Sequence, residues 1–136
     1  KTTDRAAASK HKSLEMLKAL NVPMDKLILG GFSQGSMLAL DLLLDLPVAP
    51  KGLIIYSGTL VDEVGTRARA KLKPGFPFFQ SHGEYDQILG YQGAVNLETA
   101  LVESGWDGAL LTFDGGHELP PVVLRDSASY LQKILK

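Results

Sequence analysis

The feature that most constrains this chain is its alternation of short apolar runs with helical segments, because few folds accommodate that rhythm. Lys26-Leu27-Ile28-Leu29-Gly30-Gly31, Leu53-Ile54-Ile55-Tyr56, Phe76 to His82 and Ala109 to Phe113 each read as a strand. Continuous apolar runs of that length suit strands covered on both faces. The helical pattern before the first strand carries Leu14, Leu17 and Leu20 on one side. Thr2, Thr3 and Asp4 are its candidate N-caps, and Asn21 and Pro23 stop it. Ser33 to Asp45 is apolar almost all round, which marks a buried helix, and Pro47 and Pro50 mark its exit. Tyr91 to Ser104 ends at Gly105, and Pro120-Pro121 opens a last helix through Leu124, Leu131, Ile134 and Leu135. The charged stretch from Asp62 to Lys73 reads as a solvated connection with one or two helical turns; a lid over a site is the sharper alternative.

Strand and helix in strict turn imply βαβ units, right-handed crossovers and a parallel sheet. The expected class is therefore α/β, a parallel sheet of about four strands with flanking helices, in one domain spanning 1–136. Composition then excludes several functions. With 14 Lys and Arg against 15 Asp and Glu there is no cationic excess to hold phosphates, so no nucleic-acid partner is expected. The chain has no cysteine, which removes disulfides, thiolate metal sites and a thiol nucleophile. No apolar run approaches the length of a transmembrane helix.

Ligands of a parallel α/β sheet sit outside the carboxyl ends of its strands. The segments that leave those ends are therefore informative. Gly31-Phe32-Ser33-Gln34-Gly35 leaves the first strand, His82-Gly83-Glu84-Tyr85-Asp86 ends the third, and Asp114-Gly115-Gly116-His117-Glu118 leaves the fourth. A serine, an acid and a histidine thus occupy three loops on one rim. Gly-x-Ser-x-Gly between an apolar strand and an apolar helix describes a tight turn that lifts the hydroxyl clear and aims the helix N-terminus at a developing oxyanion.

A serine hydroxyl needs a base, and the base needs an acceptor to hold its tautomer. Of three histidines, His11 falls on the exposed side of the first helix. His117 has the better case as base over His82, because it sits beyond two glycines and completes the chain order Ser, acid, His; His82 reads as a structural cap of its turn. Asp86 is the strongest acid, with Glu84, Asp114 and, more remotely, Asp62 as rivals.

Gly30-Gly31-Phe32-Ser33-Gln34-Gly35-Ser36, His82-Gly83-x-x-Asp86 and Gly116-His117-Glu118-x-Pro120 together resemble the three signatures of the carboxylesterase/phospholipase family of α/β hydrolases, which includes acyl-protein thioesterases and lysophospholipase-like esterases. The resemblance runs from about Lys26 to the C-terminus. It implies Ser33 as nucleophile, Asp86 as acid, His117 as base and the Gln34 backbone N–H as an oxyanion donor. No metal or organic cofactor is then required. The substrate is expected to be a small-molecule or lipid-like acyl ester or thioester, and the location cytoplasmic. Phe32, Ile88, Leu89 and Leu119 would suit an acyl pocket or ordinary loop packing equally.

Two departures stand out. Gly90 lies where related sequences often carry proline. The family's N-terminal strands and its His-Gly-rich oxyanion loop do not precede Ser33. The Leu27–Leu29 strand is therefore expected to expose an edge that an upstream half or a partner chain covers. The 136-residue chain alone is expected to be weakly active or inactive. A non-catalytic interaction module and a serine peptidase of the same fold are the competing functions.

Overall fold

Side chains alternate across a pleated strand, and here that alternation sorts the apolar residues into two separate layers. The computed structural model describes residues 2–136, with side chains from Arg5 onward apart from Ala6. Four parallel strands, β1 (Ile28–Phe32), β2 (Gly52–Tyr56), β3 (Phe78–Gly83) and β4 (Leu110–Phe113), lie side by side in chain order. The register pairs Gly31 with Ile55, Ile55 with Gln80 and Gln80 with Leu110. Leu53, Ile55 and Phe78 enter one core cluster, whereas Ile54 and Phe79, their immediate neighbours, enter another.

The helices follow from the crossovers. α1 (Thr2–Leu20) precedes β1, α2 (Gln34–Asp45) joins β1 to β2, α3 (Glu63–Ala70) joins β2 to β3, and α4 (Tyr91–Glu103) joins β3 to β4. α2 and α4 bring Leu40, Leu43, Leu97 and Leu101 to the first face, where Trp106 closes the layer. α5 (Pro121–Ile134) covers the second face with Val123, Tyr130 and Leu131. The α/β architecture with about four parallel strands is as expected.

Local stops behave as their residues dictate. Asn21 takes φ 53° after α1, and Gly105 takes φ 98° after α4. The Gly105 N–H donates to the Val102 carbonyl and the Trp106 N–H to Leu101, the paired bonds of a left-handed helix stop. The caps expected of Thr2, Thr3 and Asp4 fall outside the described side chains.

Three differences have physical causes. The charged stretch after β2 holds about two helical turns, as expected, but that helix, α3, is packed against its neighbours rather than simply solvated. Asp62 caps it by accepting from the Gly65 N–H at 3.1 Å, Thr66 and Ala70 are buried, and Arg67 bonds Glu63 and Glu103. β1 is half-buried to exposed rather than buried, since among the described residues it pairs with β2 alone. On α1, Leu14 and Leu17 are half-covered and Leu20 is exposed. That helix is also held by charge. Lys10 contacts Asp41 and Asp45 of α2 at 3.2 and 2.5 Å, and both carboxylates accept from Arg69 of α3 at 2.9 and 2.8 Å.

Candidate active site

Ser33 stands at the junction of β1 and α2 with φ 59° and ψ −123°, a conformation costly for a residue with a Cβ. The strain is held from both sides. Its N–H donates to the Tyr56 carbonyl at 2.7 Å, and its own carbonyl accepts from the Ser36 N–H and the Ser36 hydroxyl, the latter at 2.6 Å. Gly31 is required there, because a Cβ would collide with the backbone of Gly35 and Ser36. Gly35, the motif's other glycine, faces open space, so the steric demand falls on one glycine of the pair. Gln34 begins α2, and the first N–H groups of a helix have no intrahelical acceptor.

The acid loop turns off β3 on Asp86. Asp86 Oδ1 accepts from the Ile88 and Leu89 N–H groups, both at 2.8 Å, in a side-chain-to-backbone turn of the kind aspartate favours. Its side chain is fully buried. Burial pushes the carboxyl upward, but the hydrogen bond from His117 and the two backbone donors outweigh it and hold the group below the usual carboxylate range.

The histidine loop comes off β4 and interlocks with the acid loop. The Glu84 N–H donates to Phe113 O at 3.0 Å and the Tyr85 N–H to Gly115 O at 2.9 Å. A Cβ at Gly83 would strike the carbonyls of Gly115 and Gly116, so this close approach needs glycine. His117 Nδ1 lies 2.7 Å from Asp86 Oδ2 and Nε2 lies 2.9 Å from Ser33 Oγ. An ionised carboxylate only accepts, so the ring hydrogen sits on Nδ1 and Nε2 is left to accept from the serine hydroxyl. Phe32 packs against the imidazole with ring centroids 4.8 Å apart.

The structure therefore brings Ser33, His117 and Asp86 into one hydrogen-bonded chain across 84 and 31 residues of sequence. The rival acids lie elsewhere. Glu84 and Asp114 are exposed, and Asp62 caps α3. His11 is exposed, as its helix position implied. Of the apolar residues near the loop, Ile88 is exposed and Leu119 joins the core cluster beneath α5. A separate cleft of about 730 Å³ begins at Gln34 and Gly35 and runs past Met37, Leu38 and Leu60. What the sequence does not reveal is that His82, fully buried, also reaches Asp86, at 3.2 Å. Its position four residues before the acid is the only signal that hints at it.

Acyl-protein thioesterase 1 of Eremothecium gossypii is 28% identical over 124 residues, covering 89% of this chain and 53% of the relative. Acyl-protein thioesterase 1 of Debaryomyces hansenii is 28% identical over 137 residues, covering 93% and 59%. The chain thus spans about half the length of the curated relatives it matches. Among solved structures, esterase PE8 superposes with a TM-score of 0.79 at 28% identity, covering 89% of this chain and 56% of that one. Zea mays acyl-protein thioesterase 2 superposes with the same score at 22% identity, over 98% and 66%, and shares the α/β-hydrolase fold. The family described as Phospholipase/Carboxylesterase matches residues 1–135. With nearly every residue inside that match, the chain belongs to the phospholipase/carboxylesterase family of hydrolases.

Proposed function

We propose that this chain carries the nucleophile, acid and base of a serine hydrolase that cleaves carboxylic esters or thioesters through an acyl-enzyme. One observation carries the reading: the unbroken chain from Ser33 Oγ to His117 Nε2 at 2.9 Å, and from His117 Nδ1 to Asp86 Oδ2 at 2.7 Å. Ser33 Oγ attacks the carbonyl carbon while His117 Nε2 takes its proton. Asp86, kept ionised, fixes the ring and stabilises the imidazolium. The oxyanion develops against the Gln34 N–H at the start of α2. His117 then hands the proton to the departing alkoxide or thiolate, which leaves as alcohol or thiol. A water, deprotonated by His117, attacks the acyl-enzyme, and the proton returns to Ser33 as the acid is released.

The relatives' names speak for acyl-protein thioesters and esters, and the cleft beginning at Gln34 offers apolar walls to an acyl chain. The reading also holds that further strands, from upstream sequence or a partner chain, cover the Leu27–Leu29 edge and supply a second oxyanion donor. Losing one such donor costs roughly 10²–10³ in turnover, so slow chemistry is expected of the chain alone.

A fluorophosphonate probe tests the proposal independently of acyl preference. Covalent labelling of the parent chain is expected, with none in Ser33→Ala. An unlabelled parent would favour a non-catalytic module instead. Turnover of short p-nitrophenyl esters without cleavage of peptide amides separates esterase from peptidase.

A further inference from the structure

His82 is fully buried beside the acid and takes no part in the acyl transfer. Its Nε2 lies 2.7 Å from the Leu89 carbonyl oxygen, and 3.2 Å from Asp86 Oδ2. A carbonyl only accepts, so Nε2 carries the hydrogen; Nδ1 is buried and meets no partner among the described residues. That N–H is donated to Leu89, and Asp86 Oδ2 lies in contact with the same nitrogen without sharing its hydrogen. Leu89 in turn donates its N–H to Asp86 Oδ1 at 2.8 Å. A path of hydrogen bonds thus runs from His82 through the Leu89 peptide groups to Asp86 Oδ1, with Oδ2 against the His82 ring. Tyr91 packs beside the imidazole, ring centroids 6.3 Å apart, and is itself tied to Thr112 at 2.7 Å.

That path has a consequence for the relay. The backbone N–H groups of Ile88 and Leu89 hold Oδ1 alone, and a carboxylate held at one oxygen can still swing the other. The His82 ring lies against the other, the oxygen that receives His117, and its N–H fixes the Leu89 peptide that grips Oδ1. We propose that His82 is a positioning residue, which locks the Asp86 carboxylate plane so that Oδ2 meets the His117 N–H. Its identity as a donor at Nε2 matters, not only its bulk. For its effect on reactivity the inference rests on the serine-hydrolase reading; its effect on the His117–Asp86 bond does not.

Two variants separate donor from filler. His82→Gln places an amide N–H near the position of Nε2, whereas His82→Leu fills the volume without a donor. In His82→Leu, fluorophosphonate labelling of Ser33 should slow about 10- to 100-fold, the range expected when a reacting group is misplaced by around an ångström. His82→Gln should recover most of that loss. Proton NMR of the folded full chain supplies a second readout. The His117 Nδ1–H resonance should lie far downfield in the parent and His82→Gln, and should move upfield or broaden in His82→Leu. Parent-like labelling and an unchanged resonance in His82→Leu would overturn the proposal, as would equal slowing in both variants with the resonance unmoved. If the parent itself does not label, the hydrolase reading fails and the resonance alone decides the positioning role.

Discussion

The two faces of the sheet are held by different means. On the face covered by α2 and α4, Leu43, Leu53, Leu97 and Leu101 are excluded from solvent almost completely, and Phe76 and Phe78 both pack against Trp106. Cohesion there is a matter of apolar area. On the other face α5 is, among the described residues, the one helix over Ile54, Phe79 and Phe113, while Tyr56, Leu111 and Leu131 stay partly exposed. That face compensates with directed hydrogen bonds. Tyr130 Oη accepts from the Leu53 N–H at 3.1 Å and donates to the Pro77 carbonyl at 2.9 Å, so one phenol ties α5 to two points of the sheet. Tyr56 Oη donates to Ser127 Oγ at 2.7 Å. A layer with several helices tolerates the loss of any one polar contact; a layer with one helix does not.

The largest effect should come from the first face. Leu43→Ala is expected to cost roughly 3–5 kcal/mol in urea denaturation, since a fully enclosed site cannot collapse around the void. On the second face Tyr130→Phe, which removes no apolar volume, should still cost about 1–3 kcal/mol, because two backbone groups lose a partner. Leu131→Ala, half-exposed, should cost about 1 kcal/mol, less than the loss of the Tyr130 hydroxyl. Equal costs for Leu43→Ala and Leu131→Ala would break the contrast. The same phenol gives it a pH dimension. Burial, aided by Asp107 and opposed by the Leu53 N–H, pushes Tyr130 up to about 12. A raised value stabilises the fold below the ordinary tyrosine value near 10 and is lost as pH rises from about 10 to 12. Tyr130→Phe should therefore flatten the alkaline limb of a stability–pH curve. The smallest expected effect is a gain. Gly90 already has φ −56°, and a Cβ there would meet nothing, so Gly90→Pro should add about 0.4–1 kcal/mol, read as a rise in denaturation midpoint.

Much of the fold and the site is legible in the sequence, for reasons that particular residues make plain. Strands such as Leu53–Tyr56 announce themselves because burial on both faces leaves no polar position, and loops at their carboxyl ends collect the reactive side chains. Ser33, Asp86 and His117 stand out because three loops each carry one reactive type in a workable order. The packing of α3 is not legible, although its two turns are. Its sequence is mostly charged, and its stability comes from the Asp62 cap and from partners of Arg67 and Arg69 on other helices. The exposure of β1 is hidden as well, since an apolar run records what a strand prefers and not how many neighbours it has. His82 reads as a cap because its tie to Leu89 and Asp86 depends on how the intervening loop folds back.

The interlocked loops at Gly83 have a mechanical consequence for the relay. Asp86 and His117 are mounted on one stiff unit, β3 and β4 being clasped backbone to backbone where no side chain fits. The hydroxyl of Ser33 belongs to a different mount, reached across β2 from the far border of the sheet. Thermal breathing should therefore open the gap between serine and imidazole well before it loosens imidazole from carboxylate. Warming should part the Ser33 hydroxyl from the imidazole while the histidine–carboxylate pair stays assembled.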